Sequence, residues 1–260
     1  MKSICIVLLA LSVQFTMTSS KLVEFTCNVP RNSTIRQIIC PSQNPRRENV
    51  QHPIMSIRNI RQSNLNHMEL ADFNNYDFSE YLPSRIGATL PRMKHFLFRK
   101  SSIKFLRRRD FMDMRQLQKL NLSFNKIGKI SHEIFYDLPH LELLDIRYNE
   151  IYNLPSDLLS NAPRLKIFIA EGNLLEEVSH KLFRNNKQIE EIHLGHNEIL
   201  NIDVRFTALK NLRIVDLRQN VGECDIMLKI FRMVRESLKT SKRKRFQLKV
   251  RESCAYVDDN

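Results

Sequence analysis

Two histidines, His193 and His196, are spaced like a pair of metal ligands. Glu171 and Asp216 could add carboxylate oxygens and complete a four-ligand set. Zinc sites usually combine such a pair with a closely spaced cysteine pair, and none lies nearby in the sequence. We therefore expect no metal at these positions.

Other catalytic patterns also point away from an enzyme. The chain has 5 glycines and no two of them are close enough to form a phosphate-binding loop, which excludes the common nucleotide-binding motifs. The sequence contains no nucleophile elbow, and no serine, histidine and acid can be assembled from spacing alone. We predict a protein without catalytic activity or cofactor.

Basic residues are unevenly distributed along a chain whose formal net charge is +13. Residues 85–119 hold 11 Lys/Arg against 2 acids, and residues 229–251 hold 10 against 1. The densest run contains Lys242, Arg243, Lys244 and Arg245. Such a run favours binding of a sulfated glycan or another polyanion, although a solvated basic loop would have the same composition.

The first residues predict secretion. A lysine is followed by a short apolar stretch and then by small and hydroxyl residues, so residues 1–19 are expected to be a signal peptide. The apolar stretch is too short to span a bilayer, and no transmembrane segment is expected. A secreted chain also has no use for a nuclear-localisation signal, and we expect no nucleic-acid partner.

Cysteines and glycosylation motifs fit an extracellular protein. Removal of the signal peptide leaves Cys27, Cys40, Cys224 and Cys254, which allow three pairings in an oxidising compartment. Sequence proximity favours one disulfide at each end, Cys27–Cys40 and Cys224–Cys254. Asn32 and Asn121 each begin an Asn-x-Ser/Thr triplet that can accept a glycan.

A 24-residue repeat occupies the middle of the chain. Each unit begins with the pattern L-x-x-L-x-L-x-x-N, in which other apolar residues replace some leucines. Successive units begin at Met93, Leu117, Leu141, Leu165, Ile189 and Leu212. A weaker unit begins at Leu65. The register is kept too long to arise by chance, so it defines the architecture.

The pattern has a physical explanation. Apolar residues on both sides of a single polar residue are typical of a short strand with one buried face. The asparagine can donate its amide hydrogens to backbone carbonyls that would otherwise be buried without partners. Stacked units therefore predict an α/β solenoid with a parallel sheet, in which each unit contacts only its neighbours.

These motifs resemble the leucine-rich-repeat proteins, most closely the short secreted ones of arthropods, including immune-type members. The resemblance implies a horseshoe of six to seven repeats with a concave parallel sheet and disulfide-bonded caps. The expected divisions are a signal peptide at 1–19, an N-terminal cap at 20–64, repeats at 65–220 and a basic C-terminal cap at 221–260. Ile54, Ile57 and Ile60 are expected to supply an edge strand.

The resemblance also implies recognition of an extracellular protein ligand, with innate immunity among the settings, through the polar positions of the concave strands. The expected partner-binding residues are Arg99, Phe124, Leu143, Asp145, Arg147, Tyr148, Ile167, Ile169, Glu171, His193 and Ile214. Exposed apolar side chains beside charges suit a protein interface. The alternative function is attachment to a matrix or surface through the basic C-terminal cap.

Overall fold

The computed structural model describes residues 22–27, 36–40, 54–58, 62–76, 78, 80–84, 86–202, 204, 208–221, 232 and 247–249. The predicted signal peptide, Asn32, Cys224, Cys254 and the basic run at 242–245 lie outside the described residues. Within the described part of the chain, no helix has the length and apolar character needed to cross a membrane.

Short strands make up most of the regular structure. The described strands are β1 (Leu22–Thr26), β2 (Gln37–Ile39), β3 (Ile54–Arg58), β4 (Leu70–Asp72), β5 (Glu80–Tyr81), β6 (His95–Leu97), β7 (Ile103–Phe105), β8 (Lys119–Asn121), β9 (Leu143–Asp145), β10 (Ile167–Ile169), β11 (Glu177–Val178), β12 (Glu191–His193), β13 (Asn201–Ile202), β14 (Ile214–Asp216) and β15 (Gln247–Lys249). The described helices are α1 (Gln62–Leu65), α2 (Ile86–Thr89) and a 3-10 turn at Arg108–Asp110.

One parallel sheet of 9 strands runs through the molecule in the spatial order β2, β4, β6, β8, β9, β10, β12, β14 and β15. Six of these strands are the predicted strands of the units that begin at residues 93 to 212. The weaker unit expected at Leu65 begins at Met68 instead, because Leu70 of β4 pairs with His95, the third residue of the next unit. Leu120, Leu144 and Phe168 occupy the same register position on adjacent strands, so each unit stacks on the next without a shift. The predicted parallel solenoid is confirmed.

The two end strands come from outside the repeats. β2 pairs with β4, and β15 pairs with β14, so segments of both predicted cap regions extend the sheet. Ile54 and Ile57 do lie in a strand, β3, but it pairs with β1 in a separate two-stranded sheet. The expected edge strand at residue 54 is therefore not the edge of the main sheet, a place that β2 takes.

The core lies between the main sheet and the returning segments. The inward residues of each unit are fully buried, as Leu117, Leu120 and Leu122 illustrate. The later apolar positions close the opposite side, and Phe111, Phe135, Leu159 and Phe183 are buried there. Phe96 and Phe98 stack on Phe73 with ring centroids 6.4 and 5.4 Å apart, which packs the first units firmly.

A buried ladder of asparagines satisfies the backbone at the turn. The amide nitrogen of Asn149 donates to the carbonyl oxygens of Leu122 and Ile146 at 3.1 and 3.0 Å. Its carbonyl oxygen accepts a hydrogen bond from the Ile127 backbone N–H. Ser101 replaces the asparagine in the first unit, where its hydroxyl donates to the carbonyls of Phe73 and Arg99. The role predicted for the asparagines is thus observed.

The residue before each asparagine has a left-handed backbone. This conformation recurs at the eighth position of the units and at Asn75 of the preceding turn, with φ between 51° and 66°. Its members are Asn75, Lys100, Phe124, Tyr148, Gly172, His196 and Gln219. Most residue types avoid this region, but the N–H groups of the first six members continue the sheet ladder; the Tyr148 N–H, for example, donates to the Glu171 carbonyl at 2.8 Å. The turn therefore presents successive eighth-position side chains along one edge.

Concave sheet and its carboxyl-end edge

The third and fifth residues of each unit point away from the core. Leu143, Ile167 and Ile169 are each partly exposed, whereas Leu144 and Phe168 between them are fully buried. Leu143 lies beside Ile167 in the register, and Ile167 lies beside Glu191, which separates it from Ile214. The central strands β9 and β10 therefore carry an aliphatic patch of Leu143, Ile167 and Ile169, and Ile214 is separate from it.

Asp145 and Arg147 form a fixed pair at the border of this patch. The Asp145 side chain is nearly inaccessible, while 38% of the Arg147 side chain is exposed. Arg147 Nη2 lies 2.8 Å from Asp145 Oδ2, and Arg147 Nε donates to both carboxylate oxygens. The carboxylate is thus saturated by its own chain. Asp145, expected to contact a partner, instead holds Arg147 in place.

The same device recurs in the last unit at Asp216 and Arg218. Arg218 Nη2 lies 2.6 Å from Asp216 Oδ2, and the Arg218 backbone N–H donates to Asp216 Oδ1. Burial by itself raises the pKa of Asp216, but the hydrogen bonds and charge of Arg218 outweigh burial and leave that pKa below its usual value of 3.8. The Arg218 pKa rises for the same reason.

An aromatic pair lies where the concave face meets the carboxyl-end edge of the strands. The rings of Phe124 and Tyr148 stack with centroids 4.7 Å apart. The cationic groups of Arg99 and Lys100 lie 5.4 and 5.6 Å from the Phe124 centroid. Both aromatic residues are more than one-third exposed. Four of the predicted binding residues, Arg99, Phe124, Tyr148 and Arg147, therefore lie on neighbouring turns.

Glu171 continues the same edge and connects two repeats. The Tyr148 hydroxyl donates to Glu171 Oε1 at 3.1 Å, and His196 Nε2 lies 3.8 Å from the same oxygen. Burial, followed by the Glu171 charge, raises the pKa of Tyr148. A Cβ at Gly172 would overlap the Tyr148 ring, so the glycine allows that ring to lie flat over the next turn. Tyr148 is therefore held from both directions.

The two histidines do not share a ligand set. His193 Nε2 lies 3.1 Å from Glu191 Oε2 on its own strand, whereas His196 faces Glu171. Among the residues that the structure describes, no group of three or more His, Cys, Asp or Glu side chains is arranged to hold a metal. His193 remains partly exposed on the concave face, as a contact residue requires.

The first units give the concave face a basic end. Lys119 is exposed on β8, and its register neighbour on β6 is His95. Burial lowers the pKa of His95, and so do the charges of Lys119 and Lys94, while Glu69 opposes them. The exposed Lys119 beside His95 makes this end of the concave face polar, in contrast to the aliphatic patch.

Sequence reasoning missed a row of ion pairs along the amino-end edge of the strands. The second positions of neighbouring units carry opposite charges, except in the unit that has Gln118 there. The observed pairs are Glu69–Lys94 at 3.1 Å, Glu142–Lys166 at 2.8 Å and Glu190–Arg213 at 3.5 Å. Opposite signs about one repeat length apart in the sequence would have indicated them. The charged side chains in these pairs therefore find their partners within the chain.

The structure also describes the surroundings of a predicted disulfide and of a predicted glycosylation site. Cys27 and Cys40 are buried and joined in a disulfide. Asn121 is partly buried on β8, where its amide nitrogen donates to Asp145 Oδ2 and its oxygen accepts from Ser123. A glycan on Asn121 would project from the concave face and compete with the contact to Asp145. Its glycosylation stays a prediction, as does polyanion binding at residues 242–245.

Comparison with known proteins identifies the repeat. Residues 115–175 match the family model described as leucine rich repeat. No curated protein sequence matches the chain significantly. The structure is similar to the leucine-rich-repeat domain of the mosquito protein APL1, with a TM-score of 0.61 and 18% identity over 75% of this chain and 47% of that one.

Two complexes contain similar chains. The LRIM1/APL1C complex gives a TM-score of 0.63 at 18% identity, covering 77% of this chain and 35% of that one. The Drosophila Toll–Spatzle complex gives 0.52 at 21% identity, covering 68% and 25%. The chain thus spans about half the length of the APL1 domain and less of the other two. Together with the repeat and the parallel sheet, these likenesses define a leucine-rich-repeat fold.

Proposed function

We propose that this protein is a secreted, non-enzymatic binding module that recognises an extracellular protein through its concave sheet. The observation that carries the proposal is the aliphatic patch of Leu143, Ile167 and Ile169. These side chains point outward on adjacent strands and remain partly exposed. The hydrophobic core is formed by other side chains, such as Leu144 and Phe168 on the same strands. Removal of such a patch from water drives protein association.

The surroundings of the patch favour a specific interface. Arg147 is already fixed by Asp145, and Tyr148 is fixed by Phe124 and Glu171. Arginine and tyrosine often dominate binding energy, and side chains that are ordered before binding lose little entropy on association. The short strands fix the positions of all these groups, because each unit is held in register by its neighbours.

The comparisons support protein recognition as the use of this fold. APL1C is seen in complex with LRIM1, and Toll in complex with Spatzle. Secretion is supported by the predicted signal peptide and by the Cys27–Cys40 disulfide. We further propose a role in innate immunity, which is supported only by the resemblance to arthropod leucine-rich-repeat proteins that include immune-type members.

The test is affinity capture from extracellular fluid with two matched variants. Arg147→Glu combined with Ile167→Asp changes the concave face, and Arg184→Glu combined with Lys187→Glu changes exposed residues outside that face. A specific partner should be captured by the wild type and by the second variant but not by the first. Quantitative mass spectrometry measures the recovered protein.

The captured partner is then purified and titrated calorimetrically. We expect the concave variant to bind at least about 30-fold more weakly, because loss of one dominant contact costs about 2 kcal/mol. Circular dichroism checks that both variants are folded. Equal binding by the concave variant and the wild type would overturn the proposal.

A further inference from the structure

Exposed apolar side chains are concentrated along the carboxyl-end edge, which we define as the seventh, eighth, tenth and twelfth positions of the units. In the part of the chain that the structure describes, six of the ten large exposed hydrophobic residues lie there. They are Phe124, Tyr148, Tyr152, Leu174, Leu200 and Val221. Isolated exposed apolar residues are ordinary, but a set concentrated along one edge is typical of a contact surface.

The charges of this edge are separated into two halves. The basic half consists of Arg99, Lys100 and Lys126, which come first in the chain. The acidic half contains Glu150, Glu176 and Glu198, which come later. All six are exposed, and none forms an ion pair with another described residue. The other described charged residues at these positions are paired within the chain: Lys104 with Glu80, Arg147 with Asp145, Glu171 with His196 and Arg218 with Asp216. The opposite edge, by contrast, neutralises its charges within the chain.

The boundary between the halves is flanked by aromatic side chains. Phe124 and Lys126 precede the boundary, and Tyr148, Glu150 and Tyr152 follow it. Because the eighth-position turns share one backbone conformation, equivalent side chains recur at about the spacing of adjacent parallel strands, roughly 4.8 Å. The edge is therefore basic at first and aromatic at the boundary, and beyond it acidic residues alternate with the apolar residues Leu174, Leu200 and Val221.

This order is complementary to itself after a two-fold rotation. An isologous dimer needs one patch that matches its own rotated copy. If two edges meet antiparallel, the basic half of each protomer faces the acidic half of the other, and the apolar centre meets itself. We propose that the carboxyl-end edge binds a second copy of this chain and forms a two-fold dimer.

The dimer edge shares Arg147 and Tyr148 with the border of the proposed partner-binding surface, but it contains no residue of the aliphatic patch on β9 and β10, so the inference does not depend on the proposed function. Most of its members, such as Lys126, Tyr152 and Leu174, lie beyond the concave strands. Ile167→Asp should therefore leave the dimer intact while it disrupts partner binding. Failure of one proposal can be told from failure of the other by this variant.

Sedimentation velocity of the full chain tests the proposal. The wild type should shift from monomer to dimer as its concentration rises toward about 100 µM, a range that detects micromolar affinities. Added salt should weaken the dimer because the opposed charges are exposed. A wild type that stays monomeric over this range overturns the proposal and assigns the edge to another partner.

Charge reversal tests the antiparallel pairing. Lys100→Glu with Lys126→Glu makes the edge mainly acidic, and Glu176→Lys with Glu198→Lys makes it mainly basic. Each variant should repel its own copy and dimerise at least tenfold more weakly. An equimolar mixture should recover the dimer, because the two edges are then opposite in sign. Dimerisation that survives both reversals overturns the proposal.

A tyrosine pair tests the apolar centre. Tyr152, 55% exposed, lies on the edge, and Tyr136, 52% exposed, lies on the opposite side of the stack. Tyr152→Ser should weaken the dimer at least tenfold, and Tyr136→Ser should not change it. Equal effects of the two substitutions would contradict an apolar centre at this edge. Circular dichroism of each variant checks that the fold is retained.

Discussion

The asparagine ladder shows how one side chain per repeat supplies hydrogen bonds to the buried backbone of a turn. Asn149 donates to the carbonyls of Leu122, Ile146 and Arg147 and accepts from the Ile127 N–H. These backbone groups lie near the core, where water cannot replace the asparagine. Four contacts from one side chain explain why the residue type recurs at this position.

Asn149→Ala should lower the free energy of unfolding by about 1–3 kcal/mol, because the buried Ile127 N–H loses its partner. The carbonyls of Leu122 and Ile146 each lose one of two donors, since Asn125 and Asn173 also contact them. Urea denaturation followed by circular dichroism measures the change. Asn211→Ala is the control, since Asn211 is exposed and makes a single described bond to the Lys187 carbonyl. A loss from Asn149→Ala no larger than the loss from the control would show that the ladder does not stabilise the fold.

Asp216 gives a pH dependence at the residue scale. Its pKa in the folded state lies below the usual 3.8, despite burial, because Arg218 favours the ionised form. Its contribution to stability is therefore complete above pH 3.8 and is lost as the pH falls through the folded value. Asp216→Asn should flatten the pH dependence of unfolding below pH 4. The comparison is made by urea denaturation between pH 6 and pH 2, and identical slopes for both proteins would contradict it.

Some residue roles could not be read from the sequence. Asp145 occupies a strand position whose side chain should be exposed, yet Arg147 folds back over it and closes it off. The stacking of Phe124 on Tyr148 likewise depends on side-chain directions across a repeat. The spacing of a residue in the repeat predicts the face on which it lies. It does not predict whether its side chain is exposed to solvent or covered by a neighbouring side chain.

At the scale of the element, the left-handed turn connects the sheet to the edge. Gly172 has φ of +66°, and any Cβ there would overlap the Tyr148 ring. Gly172→Ala should lower stability by about 2 kcal/mol, since it adds both backbone strain and a clash. Gly128→Ala is the control, because its Cβ would have 3.8 Å to the nearest atom, the Glu150 carbonyl oxygen.

Urea denaturation of these two variants measures the expected difference, and Gly128→Ala should stay within about 0.5 kcal/mol of the wild type. Partner binding gives a second readout, because a displaced Tyr148 alters the border of the aliphatic patch. Equal stability of Gly172→Ala and the wild type would mean that the turn adapts without strain.

The repeats were predictable from the sequence and the end strands were not. The strands β6, β8, β9, β10, β12 and β14 follow from a spacing that the chain keeps over six units. The strands β7, β11 and β13 form small separate sheets that the spacing does not predict. The strands β2 and β15 carry no such pattern, and they join the sheet because each end offers an unpaired edge. Tertiary pairing, rather than local sequence, decides their conformation.

At the scale of the whole molecule, stability should vary along the stack because each unit contacts only its neighbours. Reduction of the Cys27–Cys40 disulfide should loosen the amino-terminal end first. Hydrogen exchange should become faster in β2 and β4, and it should stay slow in β10 and β12. A uniform increase over all four strands would indicate one cooperative unit instead.

The two proposals concern surfaces that the stack creates side by side. We propose that the aliphatic patch on β9 and β10 binds a protein partner and that the carboxyl-end edge binds a second copy. The sequence predicted the first surface, since outward strand positions can be counted from the repeat. It did not predict the second, because the separation of charges along the edge appears only when the turns are stacked.

Site-specific photo-crosslinking tests the concave assignment most directly. A photoreactive amino acid is placed at Ile167 on the concave face and, in a matched variant, at Tyr136 on the opposite side. Both proteins are irradiated in extracellular fluid, and adducts are identified by mass spectrometry, with self-adducts recognised by their sequence. We expect a specific adduct with another protein from position 167 and none from position 136. Equal labelling from both positions, or adducts from position 136 alone, would contradict it.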